Sequence, residues 1–295
     1  MPPRRMAMRV TSSGTSGKFS QVGFDWGCVL AEVPMVLRLG RRHGLISPVP
    51  AHYVVLGYQP HRSNRTGVTR TMYGLTFFAP PLSRFYALRW RDGAYVPDLE
   101  GAARELARLA RSPFPTRIVG FPSYLWFGLK EMEKLGLSVR LPRGSRILLA
   151  GGWKQHYAQE VDKRVLYALA RKVLGVEEEA VHEFFGAVEH PIFYNACPRH
   201  HFHIPAFSRV IIRDPETLEP LPMGRVGLVN LITPLINATP VPSVMTDDLG
   251  VLSPGEDCGC GISTPYLTIL GRVGAREIQT CAAGAAQLLG RGEGF

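Results

Sequence analysis

The sequence holds only five cysteines (Cys28, Cys197, Cys258, Cys260 and Cys281), an odd number in 295 residues. That excludes a disulfide-built scaffold, and in a reducing compartment close cysteine pairs point instead to metal binding or catalysis. No apolar run follows the basic start MPPRRMAMRV, so it does not read as a secretory signal. The uncharged stretch 226–245 is broken by Pro234, Pro240 and Pro242 with Asn230 and Asn237. A membrane-spanning helix needs about 20 mostly apolar residues without such breaks. The expectation is a soluble, cytoplasmic protein with no membrane span. Internal repeats and low-complexity tracts are absent. Lysine is scarce, 6 residues against 28 arginines, and the net charge of +10 is spread without a long basic run. The excess suits an anionic partner such as a nucleotide or an acidic carrier protein. With no base-stacking motif or groove-reading helix, it gives no support to a nucleic-acid partner.

What is present is a chain of globular composition, 45% hydrophobic with a mean hydropathy of +0.01, long enough for one large domain or two smaller ones. Residues 97–111 set Leu99, Ala102, Leu106 and Leu109 on one stripe, which predicts an amphipathic helix. Residues 159–174 repeat the pattern with Val161, Val165, Leu169 and Val173, ending at Gly175 as a C-cap. Arg117-Ile118-Val119 and Arg146-Ile147-Leu148-Leu149-Ala150 read as short buried strands, so 116–152 forms a strand–helix–strand unit of an α/β sheet. From about residue 206 strands dominate, at 209–212 and 226–229, with turn chemistry at 214–217. The predicted organisation is an α/β part over 1–195 and a β-rich part over 196–295.

Two clusters carry chemistry on residue type alone. Thr11-Ser12-Ser13-Gly14-Thr15-Ser16-Gly17-Lys18 is a hydroxyl- and glycine-rich loop of the kind whose N–H and hydroxyl groups cradle phosphate, although its spacing is not that of a P-loop. A solvated N-terminal segment has the same composition. The run CPRHHFH supplies Cys197 and His203, and DCGCG supplies Cys258 and Cys260. Three thiolates and an imidazole make a closed, structural zinc set, with His200 and His201 as competing ligands. Lys154 follows Gly151-Gly152-Trp153 after a buried strand. Open α/β sheets bind ligands at such strand ends, so Lys154 is placed to meet an α-phosphate or a carboxylate; a surface lysine capping a turn reads the same way.

TSSGTSGK at 11–18, GGWK at 151–154, FFGAVEHP at 184–191, MTDDLG at 245–250 and ILGRVG at 269–274 together resemble, in order, the motifs of the adenylate-forming ligases. The resemblance runs from Thr11 to about Leu289. It is strongest to the acyl-protein synthetases of the bacterial luciferase fatty-acid reductase, with the phenylacetate–CoA ligases as cousins. It implies the large-domain fold of that superfamily: layered α/β sheets plus a β-rich C-terminal part.

The resemblance also implies a reaction in which a carboxylic acid is activated by ATP and Mg²⁺ as an acyl-adenylate. Thr11, Ser12, Ser13, Thr15 and Lys18 would hold the phosphates, within a loop that includes Gly14, Ser16 and Gly17. Gly151, Gly152 and Gly186 would line the nucleotide and acyl pocket. Glu189 would help hold Mg²⁺. Asp247 or Asp248 would accept from the ribose hydroxyls, and Arg272 would meet the ribose or phosphate. The family's threonine before the glutamate is Val188 here, and Gly274 replaces the hinge acid. Only 23 residues follow Arg272, too few for the superfamily's mobile C-terminal domain and its lysine, so Lys154 is the substitute expected. Relatives also carry a substantial segment before the phosphate loop. Cys281, in REIQTCAAGAAQLLG, is the expected acyl carrier, passing a thioester to a protein acceptor (a reductase or carrier); a small cysteine in an Ala-rich terminal helix is the plainer reading. Two rivals stay open: a ligase whose acceptor is CoA, and a zinc-stabilised binding paralogue without catalysis.

Overall fold

The computed structural model describes residues 6–12, 20–153, 159–236 and 238–272. Among these the chain forms two compact units, one over 6–43 and 184–272 and the other over 44–183. The division expected at 195/196 falls inside the first.

The first unit starts with an antiparallel pair, β1 (Met8–Thr11) and β2 (Gln21–Phe24). The hydroxyl of Thr239 bonds both backbone groups of Gly23, each at 2.9 Å, and so fixes β2 to a distant loop of the same unit. Helix α1 (Trp26–Arg42) follows at once because Asp25 caps it, accepting from the N–H of Cys28 at 2.8 Å. It buries Cys28 and Met35.

The second unit is a mixed sheet covered by helices. It contains β3 (Ala51–Tyr58), α2 (Gly67–Leu75), β4 (Pro81–Arg91), β5 (Ala94–Pro97), α3 (Leu99–Leu109), β6 (Thr116–Gly120), α4 (Pro122–Lys134), β7 (Arg146–Ala150) and α5 (Lys163–Leu174). β8 (Val181–Ala187) begins in this unit and ends in the other. The strand order here is β5-β4-β3-β6-β7-β8. β4, β3, β6 and β7 are parallel neighbours, and β5 lies antiparallel on β4. β6–α4–β7 is the expected strand–helix–strand unit. Strands with apolar side chains on both faces, such as β3 and β6, suit a sheet covered on both sides. The core gathers Val54, Leu56, Leu106, Leu109, Ile118, Leu129, Met132 and Ile147. Residues of the predicted α3 stripe, Ala102, Leu106 and Leu109, are buried. In α5 the buried face is Leu166, Tyr167, Ala170, Val173 and Leu174, while Val165 is half exposed. Of the predicted stripe, Val173 is buried and Val161 and Leu169 pack half-buried against the core, so Val165 alone is left out as the buried face extends to Leu166, Tyr167 and Leu174. Gly175 ends α5 at φ +64°, the left-handed C-cap expected.

The chain then returns to the first unit through the β8–β9 hairpin, β9 being His190–Asn195. β10 (Phe202–His203), β11 (Arg209–Arg213), β12 (Val226–Ile232), β13 (Ser243–Ser253) and β14 (Tyr266–Arg272) form an antiparallel sheet ordered β10-β14-β13-β12-β11. This is the expected β-rich part. The turn at 214–217 is an Asx turn, with Asp214 Oδ1 accepting from the N–H groups of Glu216 and Thr217. The uncharged stretch 226–245 divides between β12 and β13. No helix among the described residues is long and apolar enough to cross a membrane.

Candidate functional site

The sulfur-rich corner of the first unit is assembled from three places in the sequence. Cys197 sits just beyond β9 in a tight turn, where its N–H donates to the carbonyl of His201 at 2.9 Å and the N–H of His200 donates to its carbonyl at 2.8 Å. His200 takes φ +60° to close that turn. His203 lies on β10, opposite Tyr266 of β14. Cys258 ends a one-turn 3₁₀ helix, Gly255–Cys258, and Gly259 and Gly261 on either side of Cys260 have φ +67° and +82°. These left-handed steps, accessible to glycine at little cost, reverse the chain so that both thiols of the Cys-x-Cys pair reach one place. Gly255 is required by space: a Cβ there would lie 2.3 Å from the carbonyl oxygen of Ser263.

The ligand atoms of Cys197, His203, Cys258 and Cys260 all fall within 4.8 Å of one another. The Sγ atoms of Cys197 and Cys258 are 3.6 Å apart, and Cys260 Sγ is 3.1 Å from His203 Nε2. Two thiolates on a tetrahedral ion, each at about 2.3 Å, lie about 3.8 Å apart. The other ring nitrogen of His203 faces the carbonyl of Thr264 at 2.7 Å. A carbonyl only accepts, so Nδ1 carries the proton and Nε2 is left with its lone pair towards the sulfurs, the arrangement that orients a ligating histidine. Burial and the neighbouring thiols push Cys258 up to about 12. A buried thiol held protonated in this way is deprotonated when a cation coordinates it. The donor set therefore fits zinc. Of the two competing histidines, His201 stacks on Tyr266 at 4.2 Å with its Nδ1 3.2 Å from Cys258 Sγ; neither it nor His200 belongs to the convergent four.

The other sequence-predicted residues are placed as follows. Thr11 closes β1. Ser12 and Ser20 clasp the neck of the hydroxyl-rich loop through two 2.9 Å bonds, from Ser12 N–H to the Ser20 carbonyl and from Ser20 N–H to Ser12 Oγ. Ser13, Gly14, Thr15, Ser16, Gly17 and Lys18 lie outside the described residues, as do Lys154 and Cys281. In the second unit, Gly151 and Gly152 follow the C-terminal end of β7. Gly151 has φ +76°, and a Cβ there would touch the Phe121 ring at 3.1 Å.

Back in the first unit, Gly186 is on β8. The pairing of Ala187 with His190 leaves Val188 and Glu189 as a two-residue hairpin turn, with Glu189 half-buried. On β13, Asp247 is exposed and Asp248 half-buried, and the antiparallel register sets Asp248 directly opposite Arg272 of β14. Thr246 Oγ1 donates to the Val229 carbonyl at 3.0 Å and accepts the N–H of Asp248 at 3.2 Å, which fixes the backbone at that aspartate.

Sequence reasoning passed over His190, although it stands in FFGAVEHP beside Glu189. It is fully buried, and its Nε2 lies 2.9 Å from the Tyr194 hydroxyl and 3.0 Å from Ser208 Oγ. Ser208 also donates to the Ile232 carbonyl at 3.2 Å, so the base of the Glu189 hairpin is tied to β12. The signal available was a histidine flanked by the apolar alternation of β9.

Against known proteins, the profile of the family described as "Acyl-protein synthetase, LuxE" matches residues 4–289. The chain belongs to this family. It is 25% identical over 191 residues to the long-chain-fatty-acid–luciferin-component ligase of Vibrio harveyi, a match covering 64% of this chain and 50% of that protein. It is 26% identical over 272 residues to the phenylacetate–coenzyme A ligase of Thermus thermophilus, covering 88% and 53%. The chain thus spans about half the length of the curated relatives it matches. Among solved structures, 2-hydroxyisobutyryl-CoA ligase in the postadenylation state superposes with a TM-score of 0.63 at 15% identity, over 92% of this chain and 53% of that one. ATP-bound MatB from Rhodopseudomonas palustris gives 0.55 at 15%, over 90% and 48%. The fold is that of the adenylate-forming ligases.

Proposed function

We propose that this protein activates a carboxylic acid with ATP and passes the acyl group to a thiol. The observation that carries this reading is the register of β13 on β14, which sets Asp248 of MTDDLG opposite Arg272 of ILGRVG, two motifs 24 residues apart, in a chain whose family profile covers both. The substrate carboxylate attacks the α-phosphorus of ATP, the bond from that phosphorus to the bridging oxygen breaks, and pyrophosphate leaves. Charge builds on phosphoryl oxygens, so the protein's part is positioning and stabilisation by N–H groups and cations. The loop at 11–18 holds the phosphates, with Lys18 as its cation and Ser12 fixed at its neck. Glu189 would help to hold the Mg²⁺ that accompanies ATP, whose charge would stabilise the phosphoryl oxygens. Asp248 accepts from the ribose hydroxyls and Arg272 meets the ribose or phosphate, Asp247 being the alternative ribose partner. Lys154 stabilises the α-phosphate or the incoming carboxylate.

In the second half-reaction a thiolate attacks the acyl carbon, the bond to the phosphate oxygen breaks, and AMP leaves. The family description and the fatty-acid ligase relative support a long-chain acid and a protein thiol, with Cys281 as acceptor. The match to a CoA ligase over 88% of the chain supports CoA as the second reading. Zinc at Cys197, His203, Cys258 and Cys260 is structural, since four protein ligands leave no open position for substrate.

The test is incubation with ATP, Mg²⁺ and a labelled long-chain fatty acid, followed by mass spectrometry for acyl-adenylate and for label on protein. A hydroxylamine-sensitive label that disappears in Cys281→Ser supports the protein-thiol reading. Adenylate with label transferred only to added CoA moves the proposal to the CoA ligase. Absence of adenylate with fatty, aryl and short-chain acids alike overturns it.

A further inference from the structure

Helix α1 exposes large apolar side chains along one line. Trp26 is 68% exposed, Leu30 66%, Val33 48% and Leu37 40%. Their spacing of four, three and four residues places them within about 60° of one another around the helix. A stripe this narrow is the a/d seam of a two-helix coiled coil, rather than the broader face with which a helix packs on its own domain. That broader face is already used, because Cys28 and Met35 on the opposite side are buried. Gly27 and Ala31, beside the stripe, are small and also exposed, so a second helix backbone can approach closely over the first turns.

We propose that α1 pairs antiparallel with α1 of a second copy of this chain. In that arrangement Trp26 meets Leu37 of the second copy and Leu30 meets its Val33, the a-to-d pairing of an antiparallel seam, and a two-fold axis passes between them. Charge selects this occupant and this direction. The carboxylate end of the seam is Asp25 and the basic end carries Arg38, Arg41 and Arg42, all three exposed. Antiparallel pairing sets Asp25 opposite Arg38 of the other copy at both ends; parallel pairing would stack the arginines on one another. A stable interface covers about 800 Å² per partner, and a four-residue seam supplies only part of that. The expected association is reversible and visible only at raised concentration. It does not depend on the proposed chemistry.

Sedimentation velocity over a wide concentration range tests it, with circular dichroism as the control for folding. The wild-type chain should shift from monomer to dimer, and Leu30→Glu with Val33→Glu should weaken association by about tenfold or more at unchanged helicity. Direction is read separately: a mixture of Leu30→Cys and Val33→Cys chains should cross-link faster than either variant alone, above the wild-type background. A chain that stays monomeric at every concentration, a dimer undiminished by the double glutamate variant, or faster linking of Leu30→Cys to itself overturns the proposal.

Discussion

The two units bury different chemistry. Over 44–183 the interior is aliphatic, and many of its buried polar groups are hydroxyls that close on backbone. Ser145 Oγ, for example, accepts from the N–H of Thr116 at 2.9 Å and donates to the Pro142 carbonyl at 2.7 Å. Arg117 is the buried charge there, donating to the Leu45 carbonyl at 2.6 Å. The other unit buries His190, Asn195, His203, Cys197 and Cys258 together with its apolar core. Arg117 and these hydroxyls apart, the unit over 44–183 is therefore held chiefly by apolar packing. The other depends on imidazoles and thiols whose desolvation must be offset by specific partners. The comparison can be broken at four places.

The largest effect is expected at the sulfur corner. Purified wild-type chain should carry about one zinc per molecule, and Cys258→Ala should lose it together with several kcal/mol of stability, on the order of 3–5. Elemental analysis and thermal unfolding check this. A wild-type zinc content far below one would end the metal assignment.

Next comes the aliphatic unit. Leu129 is 1% exposed in its core, and Leu129→Ala should cost about 3 kcal/mol through transfer and cavity terms. Urea unfolding reads the loss, and zinc content should not change. If zinc falls in parallel, the two units do not differ as described.

The third effect is a pH dependence. Burial holds His190 down to about 4 from the ordinary 6.5. The folded state therefore binds fewer protons than the unfolded chain between these values. The contribution is complete above pH 6.5 and is lost as pH falls towards 4, by about 3 kcal/mol in all. In stability measured against pH, His190→Gln should flatten this limb relative to wild type; identical slopes would show that His190 does not set it.

The smallest effect lies at a helix end. Gly175 has φ +64°, and a Cβ there would lie 3.0 Å from Cγ of Arg140. Gly175→Ala should cost about 1 kcal/mol, measurable as a shift in urea midpoint with unchanged slope.

How much of this was legible in sequence follows the same division. Aliphatic periodicity placed α3, α5, β6 and β7, because burying a face leaves a period in the residues. In α5 it took in Val173 and Leu169, which pack on the core, but missed Leu166, Tyr167 and Ala170, since overlapping stripes both satisfy the period and only the packing partner decides between them. The four residues of the sulfur corner were legible as a candidate metal set because zinc chemistry accepts few residue types in few spacings. Their convergence required Gly259 and Gly261 to turn the chain, a requirement that glycine composition alone does not announce. His190 was not legible as an anchor. A buried histidine in a strand looks like its neighbours until its partners Tyr194 and Ser208, the latter 18 residues on, are brought to it. The opposition of Asp248 and Arg272 is likewise a fact of strand register, which two separate motifs cannot reveal.

The central claim, that this chain activates a carboxylic acid with ATP, is tested most directly by acid-dependent exchange of labelled pyrophosphate into ATP. The account predicts exchange that requires Mg²⁺ and a carboxylic acid and that falls about a hundredfold in Asp248→Asn, a loss of roughly 2.7 kcal/mol of transition-state stabilisation, while the variant keeps its zinc. No exchange from a zinc-replete wild-type chain with any acid would contradict it, and exchange undiminished in Asp248→Asn and Asp247→Asn alike would remove the ribose contact from this strand.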